Sequence, residues 1–219
     1  MDGVELVGVG RTADVFVLDD ERVLRRYRSG RDATGEAELM RYLYAWGYPV
    51  PEVFDVDGPD LVLERLSGGT MVQGLAAGVM SIDDAAVVLA QLHERLHSLG
   101  PREATDPGSA ILHMDLHPEN ILLTPRGPIL IDWSNAIEGP AELDVAMTAV
   151  ILAQVAVDDA SPLAAPATEL LRQFLARSGL RPGAGLQEAV TRRAADEALT
   201  EREIALLPKA ESRIRSTVD

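Results

Sequence analysis

Apolar residues along this chain keep two different rhythms. In the first third they come in short runs, at residues 4–9, 14–18 and 22–27, parted by the turn signals Gly-Arg-Thr and Asp-Asp, which predicts three β-strands. Ala37, Met40, Leu43 and Tyr44 then recur at helical spacing, predicting a helix over 34–46 that Gly47 and the Pro49/Pro51 pair stop. Two more strands are expected at 52–56 and 60–66, joined by an Asp-Gly-Pro turn. Ser67-Gly68-Gly69 breaks the pattern. A boundary is placed there, giving an N-terminal β lobe over 1–66 and a C-terminal lobe over 67–219.

Past the boundary the period becomes helical. Ser81 is positioned to cap a helix with Asp84 at its third residue, and Ile82, Ala86, Leu89, Leu92, Leu96 and Leu99 form its apolar stripe until Gly100-Pro101 ends it. One helix is therefore expected between the boundary and the next break. That break is a hairpin, with apolar strands at 121–123 and 129–131 around Thr-Pro-Arg-Gly-Pro. From Ala141 onward the chain predicts three or four helices, with Thr200 and Glu203 as a further capping pair. The class is α+β: a small antiparallel sheet with one helix, then a mainly helical lobe.

Composition narrows the partners. Of 219 residues, 47% are hydrophobic and 25% charged, the balance of a folded globular chain. The longest apolar stretch, residues 145–157, is interrupted by Thr148 and Gln154 and is too short to span a bilayer. Residues 1–10 lack the basic start and apolar core of a signal peptide, and the absence of cysteine excludes a disulfide framework, so a cytoplasmic protein is expected. A net charge of −15 disfavours nucleic acid and anionic membrane, and leaves room for a cationic small molecule. Lys209 is the single lysine; every other basic residue is arginine.

Two stretches carry candidate chemistry. His93-Glu94-Arg95-Leu96-His97 is H-E-x-x-H, in which two imidazoles one helical turn apart grip zinc. The third ligand is missing from its usual place, which holds Glu103, and both histidines sit within the leucine stripe, so packed side chains are expected and a zinc peptidase is rejected. The stronger signal is ILHMDLHPENILLTPRGPILIDW, residues 111–133. It holds His113-x-Asp115, Asn120 five residues later, and Asp132 directly after an apolar strand. This is the catalytic-loop arrangement of kinase-like phosphotransferases. The loop presents an aspartate to the attacking hydroxyl and an asparagine to a metal, and the hairpin returns a second aspartate to that metal.

HMDLHPENIL with Ile131-Asp132-Trp133 resembles the aminoglycoside phosphotransferase family, from about Leu6 to Ala149. The resemblance implies a bilobal protein-kinase-like fold and an ATP-dependent, magnesium-dependent transfer of the γ-phosphate to a small-molecule hydroxyl. It implies Asp115 as the catalytic aspartate, Asn120 and Asp132 as magnesium ligands, and Asp144 as a buried brace of the loop, with His113 and His117 shaping it. Gly8 and Gly10 then belong to a phosphate-covering hairpin, and Glu64-Arg65-Leu66 to the hinge that meets adenine, with Glu64 and Leu66 supplying backbone. The family's strand lysine is absent. Arg25 fits its position, with Arg26 on the opposite strand face as the alternative, and Glu36 matches the helix glutamate it pairs with. A RIO-like protein kinase and a nucleotide-binding pseudokinase are the rival readings.

Overall fold

The computed structural model describes residues 5–103, 106, 108–183 and 185–218. It divides into two compact units, 1–69 with 122–134, and 70–121 with 135–219.

The first unit is built on a five-stranded antiparallel sheet in the order β1-β2-β3-β5-β4, formed by β1 (Glu5–Val9), β2 (Ala13–Val17), β3 (Arg22–Tyr27), β4 (Val53–Asp57) and β5 (Asp60–Glu64). Val4, included in the first predicted strand, lies outside the described residues. Helix α1 (Thr34–Ala45) buries Glu36, Ala37, Met40 and Leu43, the spacing expected of one helical face. The second predicted strand slides by one residue, and the fifth stops at Glu64, leaving Leu66 beyond it.

The hairpin of β8 (Ile121–Thr124) and β9 (Gly127–Leu130) groups with this unit, where the sequence placed it in the C-terminal lobe. Its attachments explain why. Leu130 N–H donates to the Pro49 carbonyl at 2.9 Å. Trp133, 1% exposed, meets the ring of Tyr48 edge-on at 5.6 Å and donates its indole N–H to the Leu130 carbonyl. Strand β6 (Gly69–Thr70) lies beside β8 in a second sheet ordered β6-β8-β9.

Gly68 marks this junction. Its φ is +140°, and a Cβ there would lie 2.1 Å from the Leu123 carbonyl oxygen, so neither conformation nor space admits a side chain. Gly68→Ala is expected to destabilise the chain by about 3 kcal/mol, read as a lower denaturant midpoint with an unchanged slope.

The second unit is organised around α4 (Ala141–Ala156), which is apolar on every side and buries 13 of its residues, as a central helix must. Around it lie α3 (Ile82–Ser98), α5 (Ala164–Arg177), α6 (Gly185–Ala194) and α7 (Glu201–Val218). Ser81 and Thr200 cap as predicted: Asp84 N–H donates to Ser81 Oγ at 3.1 Å and Glu203 N–H to Thr200 Oγ1 at 3.2 Å. The expectation of one helix ahead of the catalytic loop is corrected to two. A short α2 (Met71–Ala76) starts at a capping box in which Thr70 and Gln73 bond each other reciprocally. Two strands went unpredicted, β7 (Ser109–Leu112) and β10 (Ile137–Pro140), which pair antiparallel. No helix among the described residues is long and apolar enough to cross a membrane.

Candidate active site

In the first unit the cationic strand position is decided by face. On β3, Arg25 and Tyr27 are buried, while Arg26 points the other way and pairs with Asp60. The Arg25 guanidinium forks: Nη1 donates to Glu36 Oε1 at 2.6 Å and Nη2 to Asp132 Oδ1 at 2.7 Å. A planar, five-donor group can hold two carboxylates at once, which a lysine ammonium does with less directional control. Burial works against the charged form of Arg25, but Asp132 and then Glu36 outweigh it and raise its pKa further. Tyr27 completes the cluster, with its hydroxyl on Glu36 and its ring 4.7 Å below the guanidinium. Burial and the Glu36 charge push its phenol upward.

Asp132 follows β9 in a left-handed conformation, φ 63°, unusual for any residue but tolerated by aspartate. Its Oδ1 also accepts from Ser134 Oγ at 2.8 Å. No hydrogen bond among the described residues reaches Oδ2, and 35% of the side chain is exposed. A hard-oxygen donor left without a hydrogen bond from the described residues suits magnesium.

Gly8 sits at an irregularity in the β1-β2 pairing, and Gly10 closes the turn with its N–H on the Ala13 carbonyl at 2.9 Å. A Cβ on Gly10 would stand 3.1 Å from that oxygen, so the tight turn itself accounts for glycine there. Glu64 ends β5, half-buried, with its carboxylate on Arg126, and half-buried Leu66 follows.

In the second unit β7 delivers the chain into the loop 113–120. Met114 adopts φ 64°, held there by Asp144. Asp144 Oδ1 accepts from Met114 N–H at 2.8 Å and Oδ2 from His113 N–H at 3.2 Å. Burial alone would raise the Asp144 carboxyl, but the charge and hydrogen bonds of His93 and His97 hold it well below the ordinary carboxylate range. His113 Nδ1 accepts from the backbone N–H of Asp115, and His117 Nδ1 from that of Glu119, so both histidines shape the loop.

Asn120 fixes Asp115. Its Nδ2 donates to the carbonyl and to Oδ2 of Asp115, both at 2.9 Å. Both partners only accept, so the amide orientation follows from chemistry, and the Asn120 Oδ1 is turned away from Asp115. That leaves an amide oxygen of the kind a magnesium ion takes. Burial works against the Asp115 anion, but the contact with His117 Nε2, then the neighbouring His113 and Arg193, hold its carboxyl below the ordinary carboxylate range. Asp115 is therefore anionic at neutral pH.

Arg193 of α6, with Nη1 3.8 Å from Asp115 Oδ1 and also on Asp196 and Gln154, has no sequence signal that would have found it. Ser134 was also missed, although it lies two residues after Asp132.

The model of the phosphotransferase enzyme family matches residues 3–107 and 64–186. No curated protein sequence matches the chain. Among solved structures, APH(2")-IIa in its ternary complex with streptomycin and ATP superposes with a TM-score of 0.62 at 16% identity, covering 98% of this chain and 91% of that one. An aminoglycoside-3'-phosphotransferase of type VIII gives 0.54 at 21% identity over 98% and 94%. A choline kinase from Cryptosporidium parvum Iowa II gives 0.54 at 12% identity over 99% and 88%. A family match running through most of the chain, over a kinase-like α+β fold, places it: this chain belongs to the phosphotransferase enzyme family.

Proposed function

We propose that the chain is a small-molecule kinase that transfers the γ-phosphate of ATP to an acceptor hydroxyl. The observation that carries this is the Asn120 amide, which pins an ionised Asp115 at 2.9 Å while directing its own oxygen elsewhere. A catalytic base and a metal ligand are thereby oriented by one side chain. Asp115 orients the acceptor hydroxyl and takes its proton as the oxygen attacks phosphorus and ADP departs. Asn120 Oδ1 and Asp132 Oδ2 are the residues that would hold magnesium. When bound, magnesium neutralises charge on the phosphates. Arg25, steadied by Glu36, supplies positive charge for the nucleotide, and Gly8 and Gly10 let backbone approach it. Glu64 and Leu66 are assigned to the adenine side.

The reading is supported by family membership and by structural neighbours whose titles name aminoglycosides, ATP and choline kinase activity. A strongly acidic chain suits a cationic acceptor, so aminoglycosides, other amino sugars and choline are the first to try.

The test measures nucleotide consumption across hydroxylated acceptors with and without magnesium, alongside melting temperature. ATP with magnesium is expected to raise the melting temperature by mass action, and one acceptor class to support turnover. Stabilisation by ATP and magnesium with no turnover on any small molecule or protein acceptor would replace this reading with that of a nucleotide-binding pseudokinase.

A further inference from the structure

We propose that Arg193 is a positioning residue for Asp115: its guanidinium steadies the carboxylate oxygen Oδ1 from 3.8 Å, near enough to attract it and too far to bond its lone pairs. The inference rests on the reading of Asp115 as the residue that meets the acceptor hydroxyl. Asn120 grips the carbonyl and Oδ2 of Asp115 and leaves Oδ1 to other groups. Oδ1 faces His117 Nε2 at 3.5 Å and Arg193 Nη1 at 3.8 Å, both beyond the usual hydrogen-bond range of about 2.7–3.2 Å. Oδ1 is thus the oxygen open to a hydroxyl proton. A carboxylate gripped at one oxygen alone turns about its Cβ–Cγ bond, so a second hold is needed to aim it.

The fold sets this charge on a buried face. Leu186 and Ala189 of α6 are buried, and Arg193 follows one turn later on the same side. That side lies against α4 at both ends. Gly185 comes so near that a Cβ would stand 3.0 Å from the Glu142 carbonyl oxygen, and Arg193 Nε donates to Gln154 Oε1 at 3.0 Å. The neighbouring Arg192 is exposed and pairs with Glu188 along the helix surface. Gln154 is itself buried, and its Nε2 donates to the Glu203 carbonyl at 2.9 Å. A carbonyl only accepts, so the amide orientation is fixed and Oε1 is the atom that meets Arg193.

Asp196 sets the distance. Its Oδ2 accepts from Arg193 Nη1 at 3.2 Å, so that nitrogen stands between two carboxylates and is drawn to both. With Gln154 on Nε and Asp196 on Nη1, the guanidinium plane is fixed at two atoms and stops short of Asp115. The Arg193 and Asp115 side chains are 14% and 18% exposed, so solvent screens their attraction less than that of a surface pair. A direct bond at about 2.8 Å would also steady Asp115, but it would engage a lone pair that the hydroxyl proton needs. The stand-off orients Oδ1 without blocking it.

The test uses the full chain in a double-mutant cycle of Arg193→Gln and Asp115→Asn, read by urea unfolding. Arg193→Gln should lower the urea midpoint in the unaltered background and much less beside Asp115→Asn, where the attraction is already gone. Equal shifts in the two backgrounds overturn the contact. Transfer from ATP with magnesium to streptomycin and to choline is then measured at saturation. Arg193→Gln should lower kcat by about ten- to a hundred-fold with the KM for ATP within about two-fold, and Arg193→Lys should recover much of the loss. Asp196→Asn should also lower kcat, because Nη1 closes on Oδ1 once its other carboxylate is gone, and adding Arg193→Gln should erase that difference. An unchanged kcat in Arg193→Gln rejects the positioning role. Should Arg193→Gln not fold, Asp196→Asn decides alone: a lowered kcat supports the stand-off and an unchanged one rejects it. If the unaltered protein transfers to neither compound, the failure lies with the acceptor reading, and the urea cycle still decides whether Arg193 and Asp115 are coupled.

Discussion

Arg25→Ala is expected to lower turnover by about a hundred- to a thousand-fold, the usual loss when one preorganised charge facing a transferring group is removed. Arg25 joins Glu36 and Asp132 in a single buried cluster, so its removal also leaves the Glu36 carboxylate, 3% exposed, without its cation. Stranding one partner of a buried pair costs about 3–5 kcal/mol, so folding must be verified by calorimetry before the rate is interpreted. Two companion variants separate catalysis from scaffold. Glu36→Ala combined with Arg25→Ala should be far less than additive, because the two act as one unit. Arg25→Lys should retain activity well above the alanine variant, since it keeps the charge while giving up the second carboxylate contact. Arg26→Ala should change turnover by no more than a few-fold, because its partner Asp60 lies outside this cluster. A silent Arg25→Ala beside a damaging Arg26→Ala would show that the nucleotide faces the other side of β3.

The choice between those arginines shows where sequence reading reaches its limit. The loop from His113 to Asp132 was legible because its chemistry is local: Asp115 and Asn120 stand five residues apart, and their hydrogen bond closes within one turn of chain. The faces of β3 were not legible, because Arg22-Val23-Leu24-Arg25-Arg26-Tyr27 does not alternate cleanly, and the fold assigns its burial. Strands β7 and β10 escaped for a related reason. Each has only four residues, and one partner, Ile137–Pro140, contains glycine and proline and forms a strand only because Ser109–Leu112 lies beside it. Helix α2 is a different kind of miss, since its Thr70-to-Gln73 capping box was present to be read. The meeting of His93 and His97 with Asp144 had no local sign at all. Periodicity could mark Asp144 as a carboxylate inside an apolar helix in need of donors, but not which helix would bring them.

Asp115→Asn and Asp132→Asn are expected to fail in different ways, and the difference tests the assignment of roles. Asp115→Asn removes the anion that receives the hydroxyl proton while keeping the shape that Asn120 and His117 grip, so turnover should fall by about a thousand-fold or more with nucleotide affinity nearly unchanged. The ionised state of Asp115 sharpens this. Its neighbours hold its carboxyl below the ordinary carboxylate range, so it is already charged throughout the neutral range, and it should add no acid limb to the rate between about pH 5 and 8 in the unaltered protein. Asp132 needs the asparagine substitution for a structural reason: at φ 63° alanine would add backbone strain of about 1 kcal/mol, whereas asparagine adopts that conformation readily. Loss of its charge weakens the metal ligand and the hold on one arm of Arg25, so affinity for ATP with magnesium should fall together with turnover. Calorimetric titration of nucleotide, run beside single-turnover kinetics, separates the two outcomes. If both variants lose only nucleotide binding, Asp115 is not the residue that meets the acceptor, and if neither changes turnover the loop is not catalytic.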